Sequence, residues 1–330
     1  MVRNRYRTRI LNTPGLKYGP VLKGVTRVDM YHITVSSDTF ELTKIQDKQN
    51  PYIDLSNTIV PILAKQQHTD LIDELTHNIH FKLKTKSHIP DMVFVASMGL
   101  SLPCLPEPLV VLPHMRYSSR RRELKYIEEI LQDLRIKTIA LPEDVVFEGQ
   151  AETAWFDGGR LLVVGYGFRS SKETVAALRT LLTEVYTSYG VEPPKVVGAR
   201  LRSPDFYHLD MALLAYSPTA AFVQTGVFAP STLERLRKEI GSVTEIQTSD
   251  KFALNSIIEH DKILCHATLD PQVKTIFETK IGLPVQLCDT SEYEKSGGSV
   301  RCLVFDVFDP RIVKRKNNNK TPTSPRSPHA

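Results

Sequence analysis

Three short segments, far apart in the chain, carry the side chains that nucleophilic catalysis combines: a carboxylate in Phe147-Glu148-Gly149, an imidazole in Tyr207-His208-Leu209-Asp210 and a thiol in Gly297-Gly298-Ser299-Val300-Arg301-Cys302. A thiol supplies a nucleophile, an imidazole moves protons, and a carboxylate orients a cation. Taken singly, each residue has a commonplace reading: a cysteine in an apolar strand fills core, a histidine is satisfied or exposed, and a glutamate is solvated. What favours chemistry is position. Each reactive side chain stands just before or within a hairpin strand that opens one of several similar units, so the three can converge.

Those units recur every 35–50 residues or so as a strand pair, a helix and a returning strand. The first spans 92–142, with strands at 92–102 and 108–113, an amphipathic helix at 118–134 and a strand at 137–142. The second has a hairpin over 153–165 turning at Asp157-Gly158-Gly159, a helix to about Tyr189 opened by a capping box of Ser170 and Glu173, and a strand near 196–201. The third covers 211–225, a helix at 231–241 and a strand at 243–249. The fourth runs from Asn255 through a hairpin to a helix bounded by Pro271 and Gly282, then a strand at 284–288. A fifth is split, with residues 299–307 and 28–35 as its hairpin, 56–78 as its helix and 80–85 as its last strand. The expected architecture is therefore α/β, a five-bladed pseudo-symmetric propeller whose closure hides the sheet edges.

Composition fits such a chain. Its 330 residues are 41% apolar and 24% charged, a globular mixture. No run is apolar for the ~18 residues that a membrane crossing needs, and the start has no signal-peptide core. The four cysteines (Cys104, Cys265, Cys288, Cys302) lack metal or dithiol spacing, so neither metal nor cofactor is expected, and a reducing, cytoplasmic setting is the simplest reading. The formal charge of +5 sits at the ends, in Arg3, Arg5, Arg7 and Arg9 and in Lys314, Arg315, Lys316 and Lys320. No basic stripe crosses the middle, which argues against a nucleic-acid partner; organellar targeting by the basic start is a minor alternative. The expected organisation is a basic extension (1–25), one catalytic domain (26–309) and a polar, proline-rich tail (310–330) that cannot repay the entropy of ordering.

The motifs resemble the pentein superfamily, in its branch of dimethylarginine dimethylaminohydrolases, arginine deiminases and arginine dihydrolases. The likeness covers about 50–307 and is carried by Asn50-Pro51, Pro90-Asp91-Met92-Val93-Phe94, Ser119-Arg120-Arg121-Arg122-Glu123, Gly165-Tyr166-Gly167-Phe168-Arg169-Ser170 and the three segments above. The resemblance implies a five-unit ring and a hydrolase of free arginine derivatives, with Cys302 as nucleophile, His208 as acid/base and Glu148 gripping the guanidinium. Asp91 and Asp210 would contact the guanidinium or the substrate's polar end, Arg120 and Arg169 an α-carboxylate, and Asn50 and Ser97 would complete the substrate contacts.

A guanidinium stays protonated at physiological pH, so carboxylates orient it and its charge favours the thiolate. Attack then gives a thiouronium-like intermediate, opened by water in a hydrolase or by an amine in an amidinotransferase, the rival reading. Two departures bear on substrate: Ser97 stands where many relatives have Asn or Asp, and Glu152 where Asp is usual. Dimethylarginine is favoured over arginine, with Asn50-Pro51 keeping a dihydrolase outcome open. A non-enzymatic binder on the same scaffold would have no need of a nucleophile. Homo-oligomerisation is left open.

Overall fold

A computed structural model describes residues 9–10, 30–37, 40–42, 50–83 and 89–312. The basic positions Arg3, Arg5 and Arg7, most of the expected N-terminal extension and the tail beyond 312 lie outside the described residues.

The chain is an α/β protein with five sheets among the described residues, each built from an antiparallel pair and a parallel third strand. A helix precedes every third strand, because a parallel partner can be reached only by a crossover. In the first unit Leu100–Ser101 pairs with Leu109–Leu112, which pairs with Lys137–Ala140. In the second, Thr153–Phe156, Leu161–Tyr166 and Lys195–Arg200 enclose the helix Lys172–Ser188. The third joins Leu213–Ser217, Ala220–Gln224 and Ser242–Ile246 with helix Pro230–Ile240. The fourth joins Ile257–Ile258, Ile263–His266 and Val285–Cys288 with helix Pro271–Ile281, which ends at left-handed Gly282 as its sequence suggests. The split unit pairs Phe305–Phe308 with Met30–Ser37 and, after helix Pro61–Glu74, Asn78–Leu83; Arg9–Ile10 adds an edge strand to it.

Three local expectations are corrected. Residues 92–102 are not one strand but two 3-10 turns, Pro90–Val93 and Val95–Met98, before the two-residue strand. Their unbroken apolar character reflects burial on every side, which periodicity does not distinguish from a buried strand. The helix of the first unit is interrupted between Ser118–Arg121 and Leu124–Asp133, beside the inward-turned, buried Arg120 and Glu123. The capping box of the second unit is formed by Ser171 with Thr174 rather than by Ser170 with Glu173. Ser170 serves elsewhere: its hydroxyl accepts from the Glu148 amide at 3.3 Å.

Five apolar clusters hold the units together, each shared between two of them. Phe305, Ile33 and Ile130 join the split and first units; Val111 and Leu178 the first and second; Val163 and Leu236 the second and third; Phe222 and Phe277 the third and fourth; Leu264 and Leu71 the fourth and split units. Each such side chain contributes about 1.5–3 kcal/mol by leaving water, so the cohesion between units is of the same kind as that within them. No described helix is long and apolar enough to cross a membrane.

Candidate active site

Glu148 enters the site from the opening of the second unit, just after Phe147 makes a bridge to His114. The next residue, Gly149, has φ +66°, and a Cβ there would lie 2.7 Å from the backbone N and O of Gly99. Only glycine lets the two segments meet, so the Glu148-Gly149 pair fixes where the carboxylate points. His208 precedes the short helix Leu209–Ala212 of the third unit, its ring edge-on to Tyr207 at 4.7 Å between centroids. Cys302 sits in the 3-10 turn Arg301–Leu303 of the split unit. The approach to that turn is tight: a Cβ at Gly297, φ +78°, would strike Asn50 Oδ1 and Tyr207 Oη at 2.9 Å, and one at Gly298 the Phe94 ring at 2.2 Å.

Cys302 and His208 line one cavity together with Asp91, Arg120, Arg169, Asn50 and Ser97, so seven of the nine residues singled out in the sequence share a wall. The cavity encloses about 30 Å³, room for one or two waters. Glu148 lies behind His208, fully buried, with Oε2 2.7 Å from His208 Nε2. Asp210 stands beside the thiol, Oδ2 3.8 Å from Cys302 Sγ, while its Oδ1 is buried without a hydrogen-bond partner. Asp210 also borders a larger cavity, about 250 Å³, whose walls include Met30, Leu100, Trp155, Leu214 and Ile257 from all five units. The larger space contains neither the thiol nor the imidazole in its wall, and the chemistry goes with the smaller one.

Two of the expected residues are held by contacts within the protein. Glu148 Oε2 is 2.7 Å from His208 Nε2 and 3.4 Å from Arg169 Nη1, and Oε1 accepts from the Arg116 amide at 3.1 Å. Arg120, expected on an α-carboxylate, forms a two-pronged pair with Glu123 (Nε to Oε1 3.0 Å, Nη2 to Oε2 2.9 Å) and donates to Ser97 Oγ and to the carbonyls of Asp91 and Phe94. Its charge is balanced inside the protein, and it braces the turns that carry Asp91 and Ser97. Arg169 lies between the rings of Tyr117 and Tyr207, 4.9 and 4.5 Å from their centroids, a cation–π seat in the cavity wall. Asn50 donates to Ser296 O at 3.1 Å and Tyr207 Oη at 3.4 Å, tying its segment to the glycine pair.

Burial dominates the protonation states. It pulls His208 down to about 4 despite the bond to Glu148, so the ring is neutral near pH 7. Burial opposes the charge of Glu148, but Arg169, His208 and Arg120 outweigh it and hold that carboxyl well below the usual range. The Cys302 thiol is pushed up by burial and by Asp210, and Asp210 itself is raised to about 7 by burial. Glu152, fully buried behind Glu148, is raised well above the ordinary carboxylate value by burial and by Glu148. With Nε2–H donated to ionised Glu148, the neutral imidazole keeps Nδ1 as its basic atom.

The sequence reading passed over Asn255. It is fully buried, its Nδ2 lies 3.2 Å from Cys302 Sγ, and its Oδ1 accepts from the Arg301 and Cys302 amides. A signal was present, since Asn255 opens the fourth unit as His208 opens the third. Among the described residues no group of three or more His, Cys, Asp or Glu is placed to hold a metal ion.

Comparison with known proteins places this geometry among relatives. The family model for eukaryotic N,N dimethylarginine dimethylhydrolase matches residues 36–309. The chain is 30% identical over 224 residues to the uncharacterized protein ZK1307.1 of Caenorhabditis elegans, covering 67% of this chain and 74% of that one. It is 29% identical over 230 residues to the bifunctional arginine dihydrolase/ornithine cyclodeaminase ArgZ of Synechocystis, covering 67% of this chain but 30% of the larger protein. In three dimensions it resembles a mutant of the ArgZ N-terminal domain covalently bound to a reaction intermediate, with a TM-score of 0.71 at 23% identity over 84% of this chain and 97% of that one.

Proposed function

Because the chain belongs to the eukaryotic N,N dimethylarginine dimethylhydrolase family of the pentein superfamily, and is therefore a hydrolase of amidine C–N bonds, we propose that it hydrolyses the guanidino group of a free arginine derivative through a covalent adduct on Cys302. The observation that carries this reading is the meeting of groups from three different units: the thiol and His208 share the wall of one small cavity, Glu148 is bonded to the far side of His208, and Asp210 lies beside the sulfur. The covalent intermediate held by ArgZ, whose fold this chain shares, supports it. The cyclic sharing of five apolar clusters, with a cavity walled by all five units, supports a closed five-bladed ring that gathers these groups at its axis.

Asp210 and Asp91 receive the guanidinium. Oδ1 of the buried Asp210 has no hydrogen-bond partner, and a planar cation beside the thiol supplies its missing donor. Binding a cation there ionises Asp210 and stabilises the thiolate in the same step, which offsets the burial that keeps both protonated at rest. The thiol proton passes to His208 Nδ1, and sulfur attacks the central carbon. The C–N bond to the amine then breaks as that nitrogen takes the proton from His208. Water adds to the thiouronium with His208 as base, and the C–S bond breaks to release the urea product, the thiolate and the proton. Glu148 keeps the ring oriented and its Nε2–H fixed throughout, as a second carboxylate does for other catalytic histidines.

Arg169, seated between two tyrosines, is the better placed of the two arginines for a substrate α-carboxylate. The test is product identity. Incubated with asymmetric dimethylarginine, the enzyme should release citrulline and dimethylamine, and with arginine citrulline and ammonia; ornithine would mark repeated hydrolysis. Absence of turnover on every free arginine derivative would overturn the reading.

A further inference from the structure

We infer that Asn255 is a positioning residue for the nucleophile, holding the sulfur of Cys302 as a neutral donor while clamping the turn that presents it. The inference rests on Cys302 being the nucleophile.

The amide of Asn255 is oriented by its own contacts. Oδ1 faces two backbone N–H groups, those of Arg301 at 3.1 Å and Cys302 at 3.3 Å, and only an oxygen can accept both. Nδ2 is therefore the atom 3.2 Å from Cys302 Sγ, and it also lies 3.5 Å from the Asp210 carbonyl oxygen. The backbone is held as well: its amide donates to Phe252 O at 2.9 Å, and its carbonyl accepts from Arg301 N at 3.3 Å. Every polar atom of this fully buried residue thus has a partner, and four of those contacts end on the nucleophile's turn.

The sulfur has two polar side-chain neighbours with opposite effects. Asp210 Oδ2, 3.8 Å away, opposes a thiolate whenever it is itself ionised without a bound cation, whereas an amide N–H stabilises the thiolate without adding a charge. A cation in that place would compete with the guanidinium for Asp210. A neutral donor adds no charge of its own at the sulfur, so the substrate's charge still strengthens ionisation on binding. The burial of Cys302, 7% exposed in an apolar cluster, makes such a donor necessary, because a thiolate there has little access to water.

Asn255→Asp separates the two functions, since it keeps an oxygen for the two backbone amides and replaces the N–H toward sulfur by an acceptor. The full-length variant should fold with near wild-type melting. Its alkylation by iodoacetamide, followed at the Cys302 peptide by mass spectrometry across pH, should shift to higher pH, and kcat should fall on the order of 10²-fold with KM little changed. A purely structural clamp predicts an unchanged alkylation profile in the folded variant, and that result would overturn the inference. Should the variant fail to fold, the Asn255 side-chain amide resonance of the wild-type protein decides: it should shift when Cys302 is alkylated, and no shift would overturn the inference equally. Loss of the nucleophile reading itself is distinguishable, because it would show as undiminished turnover in Cys302→Ala.

Discussion

His208 and Glu148 face each other at 2.7 Å in a site where burial works against charge, and the carboxylate keeps its charge because Arg169 and Arg120 lie nearby. Replacing Glu148 by Gln removes the acceptor that fixes the imidazole tautomer, and kcat should fall about 10²–10⁴-fold with little loss of folding, which steady-state kinetics beside thermal melting would check. Asp210 offers a prediction with a definite sign. Its folded value of about 7 lies above the roughly 3.9 of an unfolded aspartate, so between those two pH values the folded protein holds a proton that the unfolded chain has released. Stability from this group therefore falls as pH rises through that window. Asp210→Asn should melt higher than wild type at pH 8, nearly alike at pH 4, and be inactive at both. A melting curve at pH 8 no higher than wild type would remove Asp210 as a strained acid. The raised thiol predicts a third result: a cationic haloacetamidine should label Cys302 much faster at pH 7 than a neutral haloacetamide of equal intrinsic reactivity, because only the former brings the charge that ionises the sulfur.

At the scale of elements, the glycine pair before the Cys302 turn sets how closely chain segments approach. Gly298→Ala puts a methyl group 2.2 Å from the Phe94 ring, and the turn must move or the aromatic cluster with Phe40 and Tyr293 must repack. The expected cost is about 3 kcal/mol or more, read by denaturant unfolding, with activity lost further than stability. Most strands and helices were legible because their chemistry is local: Pro271 and Gly282 bracket their helix, and Asp157-Gly158-Gly159 turns its hairpin. Residues 92–102 were not legible as turns, since an unalternating apolar run says only that it is buried. The pairing of Arg120 with Glu123 was not legible, because an arginine in a basic run looks like a surface charge or a ligand and the pair shows only where the helix breaks. Asn255 was missed because an asparagine has no reactivity to attract notice, although it occupies the opening position that marks His208 and Glu148.

Across the whole molecule, polar links reinforce the seam between the split unit and the rest. His32 reaches across to Glu259 at 2.9 Å and Lys262 pairs with Glu74 across the same seam, while within the split unit His32 also meets Asp306 at 2.8 Å and Arg301 grips Asp306 through both Nη atoms. Burial opposes the charge of His32, but Glu259 and Asp306 prevail and raise it to about 9. With an unfolded value near 6.5, the stability it supplies is complete below about 6.5 and is lost as pH rises through about 9. His32→Gln should melt below wild type at pH 6, with the gap closing by pH 10; a gap independent of pH would mean that the charge plays no part. The convergence of residues from three units was legible because reactive side chains stand at equivalent openings, whereas the turn of Glu148 toward His208 depended on contacts with Arg116 and Arg169 that spacing does not encode. The central claim is the covalent role of one sulfur, and acid-quenched intact-mass measurement during turnover tests it most directly. Wild type should carry the mass of the amidino adduct, mapped to the Cys302 peptide, and Cys302→Ala should show neither adduct nor product. Product formation at the wild-type rate by Cys302→Ala would contradict it.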